Sequence, residues 1–190
     1  QTQLNLLGEH QIENLKTAVT VLSIIKKLGV EIDLDTSCKK IKNIKWPARN
    51  HLVSKNPYIF VDGAHNDHSA ELLSKSINDL FPKLEDLIII FGCNIGHEPK
   101  DIIEIFKNYS PKIIVTQSRH PKSLDNKTMK NLLVNSKIKI MEYAENTNSA
   151  LIKAKKLAKS NDLILATGSL FIAAEVVEIE EKIQPEIYNI

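Results

Sequence analysis

Tyr58-Ile59-Phe60-Val61-Asp62-Gly63-Ala64-His65-Asn66 runs four largely apolar residues into an acid, a glycine, a histidine and an asparagine. A short unbroken apolar run that ends in polar residues reads as a strand buried on both faces. Asp62 then stands at the carboxyl end of that strand. Gly63 permits the tight turn that follows, and Asn66 or Asp67 caps the next helix. In open α/β sheets, ligands bind outside the carboxyl ends of the strands. Asp62 and His65 therefore stand where a sheet of this kind does its chemistry.

Further apolar runs begin near Leu87, Ile113, Ile138 and Leu163, at intervals of 29, 26, 25 and 25 residues counted from Tyr58. The gaps hold helix-like segments at about 67–81, 99–108, 125–135 and 146–159, and a last helix is expected at about 170–182. Strands alternating with helices at this spacing predict βαβ units. The fold class is α/β, a Rossmann-like, mostly parallel sheet with flanking helices. The run Ile138–Tyr143 is more polar than the others and is expected nearer an edge. His51–Ser54 can pair antiparallel with the strand at 58–62. The tail from Gln184 is expected to be loosely held.

The first 44 residues follow another pattern. Ile12, Leu15, Ala18, Leu22, Ile25 and Leu28 recur in steps of three and four, which makes one helical face ending at Gly29. A second short helix is expected from about Leu34 to Ile44. Trp46-Pro47-Ala48-Arg49-Asn50 reads as a linker, because Pro47 lacks a backbone N–H and biases the residue before it toward extended geometry. Two domains are expected, 1–44 and 45–190, the first a helical segment belonging to a preceding domain.

A net charge of +2 supplies no basic field for nucleic acid. Cys38 and Cys93 form neither a disulfide framework nor a C-x-x-C pair, which fits a reducing cytoplasm. No apolar run approaches the roughly 18 residues of a membrane span. Gln1–Asn5 lacks the basic flank of a secretory signal, so none is expected. The chain starts without Met, and a longer natural polypeptide is expected.

His10 and Asn14 lie four apart on one face of the first helix. A ring nitrogen and an amide there can read an adenine edge, and the same residues also make an ordinary polar helix start. Arg49, beside the Pro kink, can swing onto phosphate, although a lone arginine is usually just solvated. Asp62, His65, Asp67 and His68 do not make a convincing zinc or iron set, which needs ligands of matched geometry. Phe91-Gly92-Cys93-Asn94-Ile95-Gly96-His97 lacks the G-x-G-x-x-G spacing of NAD and FAD sites, and no G-x-x-x-x-G-K-[ST] phosphate loop occurs. Ala166-Thr167-Gly168-Ser169-Leu170 closes the last strand. Ser169 can be a plain N-cap, or part of a carboxylate site at the helix start.

In this order and spacing, L-x-G-x-H-Q-x-x-N, W-P-x-R, D-G-A-H-N and T-G-S-L resemble the folylpolyglutamate and dihydrofolate synthases of the Mur ligase superfamily. The resemblance covers essentially this whole chain, but only the back half of a family member. The first domain, with its phosphate loop and metal-binding residues, has no counterpart here. The resemblance implies an ATP-dependent ligase that joins L-glutamate to a folate or dihydropteroate carboxylate through an acyl phosphate. It implies ATP and Mg2+ as cofactors, with the main metal and phosphate site outside this chain and no metal site within it. It places His10 and Asn14 near adenine, Arg49 on the ATP phosphates, Asp62 on the nucleotide ribose, and His65 and Ser169 at the incoming glutamate, with Arg49 and His65 supporting catalysis. A cytoplasmic monomer, inactive without its N-terminal ATPase domain, is expected, with no nucleic-acid or membrane partner. Two departures stand out: Ala48 where W-P-G-R is common, and His97-Glu98-Pro99-Lys100-Asp101 where the family often shows D-K-D. Two alternatives remain: a non-catalytic α/β binding module, or a Mur-type ligase with another acyl acceptor.

Overall fold

A computed structural model describes residues 4–188; expectations that rest on residues 1–3 and on the last two residues of the tail lie outside these. The chain divides into two compact units between Trp46 and Pro47.

The first unit holds α1 (His10–Lys27), α2 (Leu34–Lys40) and a 3-10 turn at Ile41–Asn43. Asp33 starts α2 by accepting a hydrogen bond from the Thr36 amide. The apolar face expected on α1 is only partly covered. Leu15, Leu22 and Ile25 are half-buried, whereas Ile12, Ala18 and Leu28 are exposed. The one buried residue of α1 is Gln11. Two helices are too few to enclose a core, so periodicity alone does not bury this stripe.

The second unit begins with β1 (His51–Lys55) and β2 (Tyr58–Val61), which pair antiparallel as expected. There follow α3 (Asp67–Leu80), β3 (Leu87–Phe91), α4 (Pro99–Glu104), β4 (Lys112–Val115), α5 (Asn126–Leu133), β5 (Ile140–Tyr143), α6 (Thr147–Leu157), β6 (Leu163–Thr167) and α7 (Leu170–Glu181). The six strands stand in the order β1-β2-β6-β3-β4-β5, and every pairing except β1 with β2 is parallel. The α/β expectation holds, and β5 takes an edge. The helix expected at 99–108 splits, α4 giving way to a 3-10 turn at Ile105–Tyr109.

The sheet has a core on each face. Phe60, Ile89, Phe91 and Leu165 pack with Leu73 and Ile77 of α3, Ile102 of α4 and Met129 of α5. Ile59, Val61, Ile90 and Ile164 pack with Leu151 of α6 and Ile172 and Val176 of α7. Alternate residues of the central strands serve opposite cores, which is why these strands read as continuous apolar runs. Each fully buried isoleucine or leucine contributes about 1.5–3 kcal/mol.

The helices after β2, β3 and β4 lie on one face, and those after β5 and β6 on the other. Strand β6 inserts between β2 and β3. The loops after β2, β6 and β3 are therefore neighbours and diverge to opposite faces, and that divergence opens a crevice in sheets of this class.

The tail corrects an expectation. Beyond Lys182 it folds back, the Glu186 amide donating to Glu178 and the Tyr188 ring packing edge-on against Phe171 and His120. The aromatic side chain holds it down as far as Tyr188.

Candidate functional site

Asp62 continues β2 by one residue, its amide donating to Ala166 O of β6 at 3.1 Å. Its carboxylate faces back toward the linker. One oxygen accepts from the Asn50 amide and the other from the Ala64 amide, both at 2.8 Å. The Gly63 amide donates to Ala48 O at 3.0 Å. Asp62 and Gly63 thus hold the backbone on both sides of Arg49. Ala48 and Asn50 both adopt positive φ, 61° and 40°. Such geometry costs a non-glycine residue of order 1 kcal/mol, so the surrounding bonds must impose it. Glycine would meet no such cost at position 48. Asn50 is itself buried and donates to Ser76 Oγ of α3 at 3.1 Å. The Arg49 side chain lies at the surface.

Asn66 caps α3, accepting from the Ser69 amide while Ser69 Oγ receives the Asn66 amide in return. Of the two caps offered by the sequence, Asn66 is the one used. This ordered start fixes His65, whose amide also bonds Ser69 Oγ, at 3.1 Å. The His65 ring turns inward, with Nδ1 at 2.9 Å from Gly63 O. A carbonyl only accepts, so Nδ1 carries the proton and Nε2 is left for an outside partner.

Ser169 caps α7 through Phe171, whose amide donates to Oγ at 3.2 Å. The Ser169 hydroxyl donates in turn to Asn94 Oδ1 at 3.3 Å, and Ser169 is 2% exposed. Ser169 therefore ties the loop after β6 to the loop after β3. Gly168 makes this possible. Its φ is 91°, and a Cβ there would lie 2.4 Å from the Phe91 ring and 2.6 Å from Gly92 O. Ala64 O receives the Gly168 amide at 3.0 Å, so all three loops are joined.

The loop after β3, a departure from the family pattern in the sequence, brings a residue to which the sequence assigns no role. His97 lies beside His65, with ring centroids 4.9 Å apart and planes 59° apart. Burial, and then the charge of His65, hold His97 below the ordinary histidine range. Within the loop, burial pushes the Cys93 thiol up to about 11, which makes it a poor nucleophile. Lys100 and Asp101 fall in the first turn of α4, where Lys100 pairs with Glu104.

In the first unit, His10 and Asn14 do share a face, and Gln11 joins them. The Gln11 amide nitrogen lies 3.0 Å from His10 Nε2, and Asn14 Nδ2 donates to Gln11 Oε1 at 3.1 Å. Gln11 is the Q of the L-x-G-x-H-Q-x-x-N motif, but the sequence assigns it no role. Among the described residues, no group of three or more His, Cys, Asp or Glu is arranged to hold a metal ion, and no helix is long and apolar enough to cross a membrane.

Residues 48–170 match the model of the Mur ligase glutamate ligase domain. The chain is 21% identical over 173 residues to the dihydrofolate synthase/folylpolyglutamate synthase of Bacillus subtilis, covering 90% of itself and 39% of that relative. It is similar to the solved folylpolyglutamate synthase of Mycobacterium tuberculosis, complexed with ADP and AMPPCP, with TM-score 0.78, 22% identity, and coverage of 96% of this chain and 42% of that one. It is also similar to a bifunctional folylpolyglutamate synthase/dihydrofolate synthase solved with Mn, AMPPNP and L-glutamate, with TM-score 0.72, 16% identity, and coverage of 95% and 42%. The chain thus spans about two fifths of the length of each.

Proposed function

The chain belongs to the Mur ligase glutamate ligase domain family, and on that premise we propose that it is the amino-acid-side domain of an ATP-dependent ligase adding L-glutamate to a folate or dihydropteroate carboxylate. The observation that supports this most is the joining of three loops at the β2, β6 and β3 ends, with a half-buried imidazole that keeps Nε2 for a partner.

In this reading, the acyl carboxylate is activated as an acyl phosphate with ATP as phosphoryl donor, and the glutamate amine attacks it. Arg49 offsets charge on the transferring phosphoryl group, and its backbone is held in place by Asp62 and Gly63. Asp62 also borders the nucleotide ribose. His65 receives a carboxylate of the incoming glutamate. Ser169 acts chiefly by holding the loops, because its hydroxyl proton is committed to Asn94. His10 and Asn14, set on one face by Gln11, read the adenine edge from the first unit. The chain spans about two fifths of its relatives, and in this reading Mg2+ and the phosphate cradle belong to an N-terminal ATPase domain of a longer, cytoplasmic, monomeric polypeptide. Closing one domain on the other brings amine and acyl group together and excludes water.

The test is ADP release by the natural full-length polypeptide. Release that needs both a pteroate or folate substrate and L-glutamate supports the proposal. Stimulation by another amino acid, or with another acyl acceptor, would move the assignment to a different Mur branch, and no turnover at all would point to a binding module.

A further inference from the structure

His97 has no place in the proposed chemistry so far, yet the fold takes trouble to position it. Its loop is fixed on the side away from His65 by two bonds to the loop after β4: the Ile95 amide donates to Lys122 O and the Leu124 amide to Cys93 O, both at 2.8 Å. Ser169 holds Asn94 from below. With these anchors the loop carries His97 to within 4.9 Å of the His65 ring, at a tilted angle. His65 is fixed independently through Gly63 O. Two imidazoles held this close and half-buried do not readily carry two positive charges.

Other charges near the pair are few. The Asp62 carboxylate is engaged by the Asn50 and Ala64 amides, and Asp67 accepts from the His68 amide at 2.7 Å. His68 and Glu98 are exposed, Lys100 pairs with Glu104, and Asp101 stands in the first turn of α4. The opening segment of α7, from Leu170 to Ala174, brings no titratable group. The charge that acts on His97 is that of His65.

We propose that His65 and His97 form a one-proton couple on the amino-acid side of the crevice, in which His97 is a positioning residue that governs when the His65 ring offers a proton to the carboxylate of an incoming amino acid. This rests on the ligase reading for the identity of the ligand, but the couple itself stands without it. The proton comes from solvent, binds at an imidazole nitrogen and returns to solvent when the amino acid leaves. Only that N–H bond is made and broken, and no bond between heavy atoms changes. Affinity for the carboxylate is greatest while the couple holds its single proton, and falls as rising pH removes it.

The first experiment follows the ring protons of His97 by NMR across pH in the 190-residue chain. In the unaltered chain His97 titrates below its ordinary 6.5. In His65→Asn, whose side-chain amide nitrogen matches Nδ1 and can keep the bond to Gly63 O, the midpoint rises but stays below ordinary, because burial persists. An unmoved midpoint overturns the couple. The second experiment needs no change at His65. It measures KM for L-glutamate between about pH 5 and 8, the span over which histidine changes charge, in the full-length enzyme with and without His97→Gln. A flattened pH dependence of KM in the variant, with KM for ATP unaltered, is expected. The same profile in both forms rejects the role of His97, while lack of any glutamate-dependent turnover rejects the ligase reading and leaves the NMR result standing.

Discussion

Asp62 follows a strand whose last three residues, Ile59 to Val61, are fully buried, and its carboxylate accepts hydrogen bonds from two backbone amides. The sequence marks it as a strand-end acid, but its hold on the linker depends on residue 50 returning beside residue 62, which no local pattern reveals. Asp62→Ala leaves those two donors without their acceptor and is expected to cost about 2–3 kcal/mol in a chemical denaturation experiment. Asp62→Asn keeps one acceptor oxygen and should lose less. Equal loss in the two variants would argue against this accounting. Gly168 offers a second residue-level test. Gly168→Ala forces a methyl against the Phe91 ring and Gly92 O at a positive φ, so a loss of about 2 kcal/mol or more is expected. An unchanged denaturation midpoint would contradict the close packing of the three loops. His97 and Gln11 were not legible as site residues. Histidine in a glycine-containing loop and glutamine on a helix are commonplace, and only the fold shows what they touch.

At the level of elements, the apolar runs were informative because central parallel strands are buried on both faces. The greater polarity of the fifth run was enough to place it at an edge. Helix caps were legible too, at Asn66 and Ser169. The strand order was not, since the insertion of β6 between β2 and β3 is a choice among topologies that share one pattern of periodicity. That insertion is what brings Ser169 to Asn94 and His65 to His97. The tail was misjudged because polar composition says little about one aromatic anchor. Tyr188 is held up at about 12, first by burial and then by the charges of Glu186, Glu175 and Glu178. Its neutral form is the one the docked tail favours. The resulting stability is fully present below the ordinary 10.0 and is lost as pH rises through about 12. Alkaline absorbance titration should therefore show one phenol ionising near 12 that disappears in Tyr188→Phe. If no tyrosine titrates so late, the tail is not docked in this way.

For the molecule as a whole, the compact unit from Pro47 onward carries the sheet and the joined loops, while in the unit before it the apolar stripe on α1 is only partly covered. A chain spanning about two fifths of its relatives is expected to show no ATP turnover by itself. Measurable ADP release from the 190-residue chain would refute the assignment of the phosphate cradle to a preceding domain. The claim on which the account turns is that the crevice at the β2, β6 and β3 ends receives the incoming amino acid. Steady-state kinetics of the natural polypeptide carrying His65→Ala test it most directly. Removing one charge-assisted contact of about 1.5–3 kcal/mol should raise KM for L-glutamate roughly tenfold or more, with KM for ATP close to that of the unaltered enzyme. An unchanged KM for L-glutamate would contradict the account.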